Sequence, residues 1–235
     1  MLKLVTFDLD NTLWDVVPTI VAAERTLREW LTQRVPEYSD QVTGELMTTL
    51  REQALRADPQ LRYNISNLRL LVLNQALQHC GLQAQAAAAI ANDAFEVFMQ
   101  GRNTVKFYPG ALETVAELAK SYRLVALTNG NADISVMPLA THFEFSMSPD
   151  VVQARKPEAK IFAETLKRTN CRANEVVHVG DNLEEDIDGA ANAGWHTVWV
   201  NINNDPAPAQ PNYSQWVSRL QDLPAVIRKI DATLR

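Results

Sequence analysis

The chain has 235 residues, of which 46% are hydrophobic, and its formal net charge is −6 at pH 7. This length provides one large domain or a domain with a smaller module, and an acidic chain without a basic block argues against a nucleic-acid partner. Its apolar runs are shorter than the roughly eighteen residues of a membrane span. The charged residue Asp8 comes before an apolar signal-peptide region could form. The two cysteines, Cys80 and Cys171, have neither the spacing of a disulfide framework nor that of metal ligands. These features fit a cytoplasmic protein with reduced cysteines.

The first predicted element is a buried strand that ends in two carboxylates. Leu4 to Phe7 is an apolar run, which is typical of a strand covered on both faces in a parallel sheet. Asp8 and Asp10 follow it, and because side chains alternate along an extended segment, both carboxylates leave the strand end on the same side. Two such acids repel each other unless a cation lies between them or one holds a proton. Taken alone, the segment is also compatible with a turn.

Residues 15–104 are predicted to form four amphipathic helices without an intervening strand. The predicted helices span residues 18–35, 39–57, 65–80 and 84–101, each with apolar residues on one face. We interpret residues 15–104 as an α-helical module inserted after the first strand, because the helices follow one another directly. In the alternative interpretation, these helices simply cover the sheet.

From residue 105 onward the pattern alternates between strands and helices. Strands are predicted at 123–128, 143–147, 175–179 and 196–200, and helices at 111–121, 134–140, 158–169 and 187–192. A proline-containing loop over 201–214, a short edge strand at 216–217 and a closing helix over 223–234 follow. The predicted fold class is α/β, with a Rossmann-like, doubly wound parallel sheet formed by residues 1–14 and 105–235 and an inserted four-helix domain.

Polar residues also follow the later strands, at the edge where catalytic groups of open α/β sheets collect. They are Thr128 and Asn129 after the second strand, Lys156 after the third, and Asp181 and Asp186 after the fourth. A hydroxyl suits a phosphate oxygen, a lysine supplies a compact positive charge, and carboxylates suit Mg²⁺. Each segment also has an alternative interpretation. Thr128 and Asn129 could form an Asn-Gly turn, Lys156 could be a solvated lysine, and Asp186 could belong to an acidic helix start. Glu184 and Glu185 are interpreted only as such a helix start.

Taken in order, these segments resemble the four signatures of the haloacid dehalogenase (HAD) superfamily. Residues 8–12, Asp-Leu-Asp-Asn-Thr, are similar to Asp-x-Asp-x-Thr, and Thr128 matches the hydroxyl residue of the second signature. Lys156 matches the lysine directly before proline, so it is preferred over its neighbour Arg155. Residues 180–186 resemble the Gly-Asp-x-x-x-x-Asp form of the fourth signature. The resemblance covers nearly the whole chain.

The resemblance implies a phosphomonoester hydrolase that uses Mg²⁺ and a covalent aspartyl-phosphate. Asp8 would attack phosphorus, and Asp10 would protonate the leaving oxygen and then activate water. Mg²⁺ would be held by Asp8, Asp181 and the backbone carbonyl of Asp10. Asp186 would hold Lys156 or a metal-bound water.

The phosphoryl group would be bound by further residues of these signatures. They are Thr128, Asn129, Lys156 and Thr12, the last of which is expected mainly to support the loop. His178 is interpreted as a packed neighbour of the fourth strand end rather than an acid–base group.

Asp10 separates the branches of the superfamily. The dehalogenases lack an acid at this position and need neither leaving-group protonation nor Mg²⁺, so a phosphatase is favoured. Phosphomutases keep both acids and stay open as an alternative. A HAD-fold protein that binds a phosphorylated metabolite without turnover is a further alternative, although a sensor has no need of an acid–base residue such as Asp10.

The inserted helices match the family's C1 cap, which closes over the site. The candidate specificity residues of this cap are Tyr63, Asn64, Asn67 and Arg69. A solvated loop and helix start is the alternative interpretation of these residues. Trp14 and Asp15 are expected in the hinge region.

Three local strings resemble the bacterial HAD phosphatases of riboflavin biosynthesis: residues 6–15, 127–132 and 178–181. This implies 5-amino-6-(5-phosphoribitylamino)uracil as substrate, with FMN or sugar phosphates also accepted. The alternative is a broad-specificity phosphatase of the sugar-phosphate or phosphoglycolate type. In both cases the partner is a small phosphorylated metabolite, and the sequence is compatible with a monomer and with a dimer.

Overall fold

The computed structural model describes residues 1–209 and 211–234. The described chain divides into two compact units. One unit combines Met1–Asp15 with the residues from Lys106 onward, and the other consists of Val16–Val105. We call them the α/β unit and the helical unit. None of the helices in the described ranges is both long and apolar enough to cross a bilayer.

The helical unit is built from helices packed around an aliphatic and aromatic core. Its helices are α1 (Val16–Arg34), α2 (Tyr38–Gln41), α3 (Gly44–Ala57), α4 (Ile65–His79) and α5 (Ala84–Arg102). Helix α5 packs against both α1 and α4, and α3 packs against α4. Leu31, Leu73 and Leu77 are fully buried in the core of this unit. The helical segment therefore forms a compact unit with its own core.

The predicted helix over residues 39–57 is wrong as a single element. The structure has α2 and α3 there, and Thr43 lies between them. The Thr43 hydroxyl accepts the backbone N–H of Leu46 at 3.2 Å, which satisfies one of the free donors at the start of α3. This cap stabilises the start of α3 as a helix separate from α2.

The α/β unit contains a parallel sheet. Its strands are β1 (Leu4–Phe7), β2 (Arg123–Leu127), β3 (Ser146–Met147), β4 (Val176–Gly180), β5 (His196–Val200) and β6 (Gln215–Val217). They lie in the order β3-β2-β1-β4-β5-β6. All neighbouring pairs are parallel, and β1 pairs with β2 on one side and β4 on the other. The strand order reverses at β1, which is where open α/β sheets form a crevice for ligands.

Helices lie before, between and after the later strands along the chain. They are α6 (Ala111–Leu118), α7 (Pro149–Val152), α8 (Ala159–Thr169), α9 (Gly189–Asn192) and α10 (Leu223–Thr233). This arrangement confirms the predicted α/β class with an inserted helical domain. Helix α7 was not predicted, and the predicted strand over 143–147 is reduced to the two residues of β3.

Two further predictions differ from the structure near the sheet. The predicted helix over 134–140 is wrong, because two separate 3₁₀ turns, Ile134–Val136 and Ala140–His142, flank Pro138. Proline disfavours a helical conformation in the residue before it, and Met137 is indeed extended. The helix predicted from residue 187 is preceded by a π-helical turn over Leu183–Asp188. Within the predicted loop over 201–214, Gln210 lies outside the described residues.

Leu73→Ala tests the core of the helical unit. Leu73 is fully buried, so we expect the truncation to lower the free energy of unfolding by about 2–5 kcal/mol, through lost burial and a new cavity. Val21→Ala is the control, because Val21 is 63% exposed and a change within about 0.5 kcal/mol is expected there. Urea denaturation followed by circular dichroism measures both. Equal effects of the two substitutions would contradict the packing of α4.

Candidate active site

A pocket of about 260 Å³ lies at the carboxyl ends of β1, β2 and β4. The structure brings to it the predicted residues Asp8, Asp10, Thr128, Asn129, Asp181 and Asp186. These side chains come from three separate parts of the sequence, and the parallel order of the strands places them at one edge of the sheet. The pocket is strongly acidic, since Glu185 also lines it.

Asp8 lies directly after the central strand β1. Its backbone N–H donates to the carbonyl of Val179 at 2.8 Å, which ties the residue to β4. Its Oδ1 accepts a hydrogen bond from Lys156 Nζ at 2.6 Å, and its Oδ2 accepts one from the Thr12 hydroxyl at 3.2 Å. Burial raises the pKa of Asp8 well above its ordinary value, and the charge of Lys156 opposes this increase. The carboxylate is therefore held in one orientation but carries an electrostatic cost.

Lys156 is a buried cation between two carboxylates. It is 1% exposed, and its Nζ lies 2.6 Å from Asp8 Oδ1 and 2.5 Å from Asp186 Oδ1. Burial opposes the charged form, but the charges of Asp186 and Asp8 outweigh it and raise the pKa of Lys156. Lys156 is therefore a fixed positive charge beside Asp8.

The backbone of Lys156 is held by the side chain of Asn129. Asn129 Oδ1 accepts the Lys156 N–H at 2.8 Å, and Asn129 Nδ2 donates to the Lys156 carbonyl at 3.0 Å. Nδ2 also donates to Glu185 Oε2 at 2.8 Å, while Glu185 Oε1 accepts from Arg155 at 2.9 Å. Both amide donors of Asn129 are thereby used within the protein. The side chain holds the Lys156 loop, and the predicted phosphate contact of Asn129 stays a prediction.

Glu185 was missed by sequence reasoning as part of the site. It was interpreted only as an acidic helix start, whereas in the structure it orients the Asn129 amide and pairs with Arg155. Its sequence signal is one acid among three in Glu184–Asp186. Only the spatial proximity of this turn to the loop after β2 distinguishes it.

Asp186 is 1% exposed and accepts three hydrogen bonds. Its Oδ1 accepts from Lys156 Nζ and, at 3.1 Å, from His178 Nε2, and its Oδ2 accepts from the Asn182 N–H at 3.0 Å. Burial opposes ionisation, but the charge of Lys156 and the hydrogen bond from His178 outweigh it and lower the pKa of Asp186. Asp186 is thus a carboxylate in contact with Lys156, the first of the two roles expected for it.

His178 does more than pack beside the strand end. It is fully buried in β4, and burial lowers the pKa of His178, which keeps its ring neutral. Because Asp186 is a carboxylate, Nε2 must carry the proton, and Nδ1 then accepts from the Thr6 hydroxyl at 2.8 Å. The ring therefore joins β1 to Asp186.

Asp181 and Thr12 complete the acidic end of the pocket. The Thr12 hydroxyl is 3.0 Å from Asp181 Oδ1, and the backbone carbonyl of Asp181 accepts from Trp199 Nε1 at 2.8 Å. Burial and the charge of Asp186 raise the pKa of Asp181 to about 6. The Thr12 hydroxyl has one proton for two carboxylates, Asp8 and Asp181, so it cannot stabilise both at once.

The carboxylates of Asp8, Asp181 and Asp186 form a cluster that could hold a metal ion, although both oxygens of Asp186 already accept hydrogen bonds. One oxygen of each lies within 4.8 Å of the others. Hard oxygen donors are the ligands that Mg²⁺ prefers, and burial together with the neighbouring carboxylates raises the pKa values of Asp8 and Asp181, so a bound cation would stabilise their charged forms. The donor set and its electrostatics both suit a divalent cation.

Asp10 and Thr128 have hydrogen bonds that fix their side chains. Asp10 Oδ1 accepts from Trp14 Nε1 at 2.8 Å. Thr128 is 1% exposed, and its hydroxyl accepts the Gly130 N–H at 2.9 Å, which orders the turn after β2. Asn11, the residue after Asp10, has a φ of +62°, a left-handed conformation that Asn tolerates better than most residues.

The candidate cap residues lie in the helical unit. The Asn64 side chain accepts the N–H of Asn67 at 2.9 Å and so begins α4. Arg69 pairs with Glu24 at 2.6 Å, and Tyr63 is buried. These contacts give Asn64 and Arg69 roles within their own unit, and the specificity role of all four candidates stays a prediction.

Residues 2–194 match the family model of the haloacid dehalogenase-like hydrolases, and the chain belongs to this family. It is 31% identical to the 5-amino-6-(5-phospho-D-ribitylamino)uracil phosphatase YigB of Escherichia coli K12, over 85% of this chain and 83% of that protein. Human N-acylneuraminate-9-phosphatase is 29% identical, over 97% and 95%. Because both of these relatives are phosphatases, we conclude that the protein is a phosphatase of this family.

A solved structure gives a close match to the fold. The crystal structure of 2-haloacid dehalogenase from Pseudomonas syringae pv. Tomato DC3000 is 38% identical, with a TM-score of 0.92. The match covers 97% of this chain and 99% of that one. The similarity therefore extends over both units.

Gly180→Ala tests how closely Asp186 is packed. A Cβ at residue 180 would overlap the Asp186 carboxylate, so Asp186 and Lys156 must shift. We expect kcat for p-nitrophenyl phosphate to fall by at least about tenfold, since small displacements of catalytic groups are costly. Gly44→Ala is the control, because nothing lies within 4 Å of its added Cβ. An unchanged kcat in a folded Gly180→Ala protein would contradict this packing.

Proposed function

We propose that the protein is a Mg²⁺-dependent phosphomonoester hydrolase that forms an aspartyl-phosphate on Asp8. The observation that carries this proposal is the position of Asp8, which lies 2.6 Å from the Lys156 ammonium and within a cluster of carboxylates suited to a cation. A nucleophilic carboxylate and a phosphate dianion repel each other, so positive charge on both sides of Asp8 is what the reaction requires. Asp10 lines the same pocket and supplies the acid–base group.

Each step is assigned to residues of the pocket. Asp8 attacks phosphorus while Asp10 gives its proton to the departing oxygen, and Asp10 then removes a proton from the water that hydrolyses the intermediate. Lys156 and the Thr128 hydroxyl stabilise charge on the phosphoryl oxygens. Mg²⁺, held by Asp8, Asp181 and the backbone carbonyl of Asp10, would neutralise charge between nucleophile and substrate. Asp186 keeps Lys156 in place.

We further propose that residues 15–104 act as a cap and that the substrate is 5-amino-6-(5-phosphoribitylamino)uracil, with FMN or sugar phosphates also accepted. The likeness to the Escherichia coli enzyme supports this substrate. Other relatives are phosphatases of different compounds, such as the human N-acylneuraminate-9-phosphatase. A broad-specificity phosphatase is therefore the alternative that the experiment must separate.

A second candidate reaction is the hydrolysis of 2-haloacids. The similarity to the dehalogenase from Pseudomonas syringae favours it. Asp10 argues against it, because a departing halide needs no proton, whereas the departing alkoxide of a phosphate ester does. Halide release from 2-chloropropionate measures this activity directly, and halide release faster than phosphate release from every ester would reject the phosphatase proposal.

The deciding experiment is Mg²⁺-dependent phosphate release from a panel of phosphomonoesters. The panel contains the ribitylaminouracil phosphate, FMN, phosphoglycolate and hexose phosphates, with Asp8→Asn as the blank because a carboxamide is a poor nucleophile. We expect Asp8→Asn to lose essentially all turnover while keeping its fold. Residual activity above about a tenth of wild type would reject Asp8 as the nucleophile.

The profile over the panel then identifies the substrate. A preference of about a hundredfold, or about 2.7 kcal/mol, for the ribitylaminouracil phosphate would support the riboflavin pathway. A flat profile would support a broad-specificity enzyme instead. Absence of phosphate release from every ester, with Mg²⁺ present and the protein folded, would favour a binding protein without turnover.

Magnesium binding is expected to depend on pH. Asp181 has a pKa raised to about 6 in the metal-free protein, so it holds a proton below that pH and must lose it to bind a cation. We expect the dissociation constant for Mg²⁺, measured by calorimetry, to weaken by about tenfold between pH 7 and pH 5. Asp181→Asn should weaken binding and reduce this dependence, because Asp8 then remains as a carboxylate ligand with a raised pKa, while Asp93→Asn, at an exposed position of α5, should leave it unchanged. Equal affinity at both pH values would contradict the role of Asp181.

A further inference from the structure

The indole of Trp14 contacts the carboxylate of Asp10. Its Nε1 lies 2.8 Å from Asp10 Oδ1, within hydrogen-bond distance, and the two residues are four positions apart. Indole N–H can only donate, and a carboxylate is its natural acceptor. The position of Trp14 after the Asp-x-Asp segment predicted a hinge residue, and nothing in the sequence indicates this contact.

The backbone between the two residues forms a tight loop that fixes the contact. The Asn11 N–H donates to the Trp14 carbonyl at 2.7 Å, and the Leu13 N–H donates to the Leu9 carbonyl at 2.8 Å. Asp10 and Trp14 are also paired in a parallel β-bridge. The side chain of Trp14 is thereby directed back toward Asp10 by the loop itself.

The ring of Trp14 is also held from its other side. It is fully buried, and Phe107 meets it edge to face, with 5.5 Å between the ring centroids and 87° between the planes. The strand-like pairing of Trp14 with Phe107 and the hydrogen bond from Tyr108 N–H to the Leu13 carbonyl at 2.9 Å anchor this contact. An indole fixed in this way cannot follow a rotating carboxylate.

We propose that Trp14 is a positioning residue that orients Asp10 for proton transfer to the leaving group. The inference rests on the proposed function, in which Asp10 is the general acid. Because the indole N–H occupies Oδ1, the transferable proton is carried by Oδ2, and rotation of the carboxyl group would break the hydrogen bond. Trp14 therefore selects which oxygen delivers the proton.

The proton balance of both steps uses this one oxygen. In the first step the bond from Asp8 to phosphorus forms, the ester P–O bond breaks, and the proton on Asp10 Oδ2 moves to the departing oxygen. In the second step water attacks phosphorus, the bond to Asp8 breaks, and one water proton returns to Oδ2. The bond from Trp14 to Oδ1 is compatible with both states of the carboxyl group.

Trp14→Phe removes the N–H and keeps an aromatic ring against Phe107. We expect kcat/KM for phenyl phosphate, whose leaving group needs a proton, to fall by about tenfold or more. For p-nitrophenyl phosphate, whose leaving group departs without much proton help, the loss should stay within about threefold. A change in stability alone would affect both substrates equally, so the ratio of the two losses is the readout.

Two matched substitutions serve as controls. Trp216→Phe changes a half-exposed tryptophan of β6 and should leave both substrates unaffected. Trp199→Phe removes an indole N–H that donates to the backbone carbonyl of Asp181, so its loss should be the same for both substrates. If Trp14→Phe does not fold, replacement of Trp14 by 3-benzothienylalanine keeps the shape of indole and removes only the N–H.

Asp10→Asn, measured on the same two substrates, separates the inference from the proposed function. A selective loss on phenyl phosphate in both Asp10→Asn and the Trp14 variant supports the inference. A selective loss in Asp10→Asn with an equal or negligible loss in the Trp14 variant overturns the inference and leaves Asp10 as the acid. Equal losses on both substrates in Asp10→Asn reject the general acid and the inference together.

Discussion

A lysine ammonium buried to 1% exposure requires compensating charge, and the ion pairs of Lys156 with Asp8 and Asp186 provide it. The pairs connect the end of β1 and the turn after β4 to the segment between α7 and α8, and the neighbouring positions of β1 and β4 in the sheet bring the two carboxylates together. The surrounding contacts hold the two carboxylates and the lysine backbone: His178 bonds to Asp186, and Asn129 bonds to both backbone groups of Lys156. Removing one partner would leave a buried charge without compensation, which is why these contacts act as a unit.

The positive charge of Lys156 does not balance the three carboxylates that lie near it. Asp8, Asp181 and Asp186 lie close together, and although the charge of Lys156 opposes the increase, burial keeps the pKa values of Asp8 and Asp181 above their ordinary values. The remaining negative charge lies beside the nucleophile, where a divalent cation and a phosphoryl group are expected to bind together.

The sequence was sufficient for the central strands and for the residues at their ends, because buried parallel strands are continuous apolar runs and their polar tips stand out. It failed where the outcome depends on contacts between distant segments. The amide of Asn129, the carboxylate of Glu185 and the indole of Trp14 find partners that local patterns do not reveal. The helix predicted over 134–140 was a different error, since Pro138 is a local signal that outweighs the apolar periodicity.

The pairing of Trp14 with Phe107 has a consequence for how such a chain can evolve. The helical unit leaves and re-enters the α/β unit at two points that are already joined by a β-bridge and by the hydrogen bond from Tyr108 to Leu13. A segment inserted between points that are in contact imposes no new separation on its host, so the closure entropy grows only slowly with its length. Modules of very different size can therefore be exchanged at this junction without a change in the sheet. Every such module begins only a few residues after Asp10 in the chain.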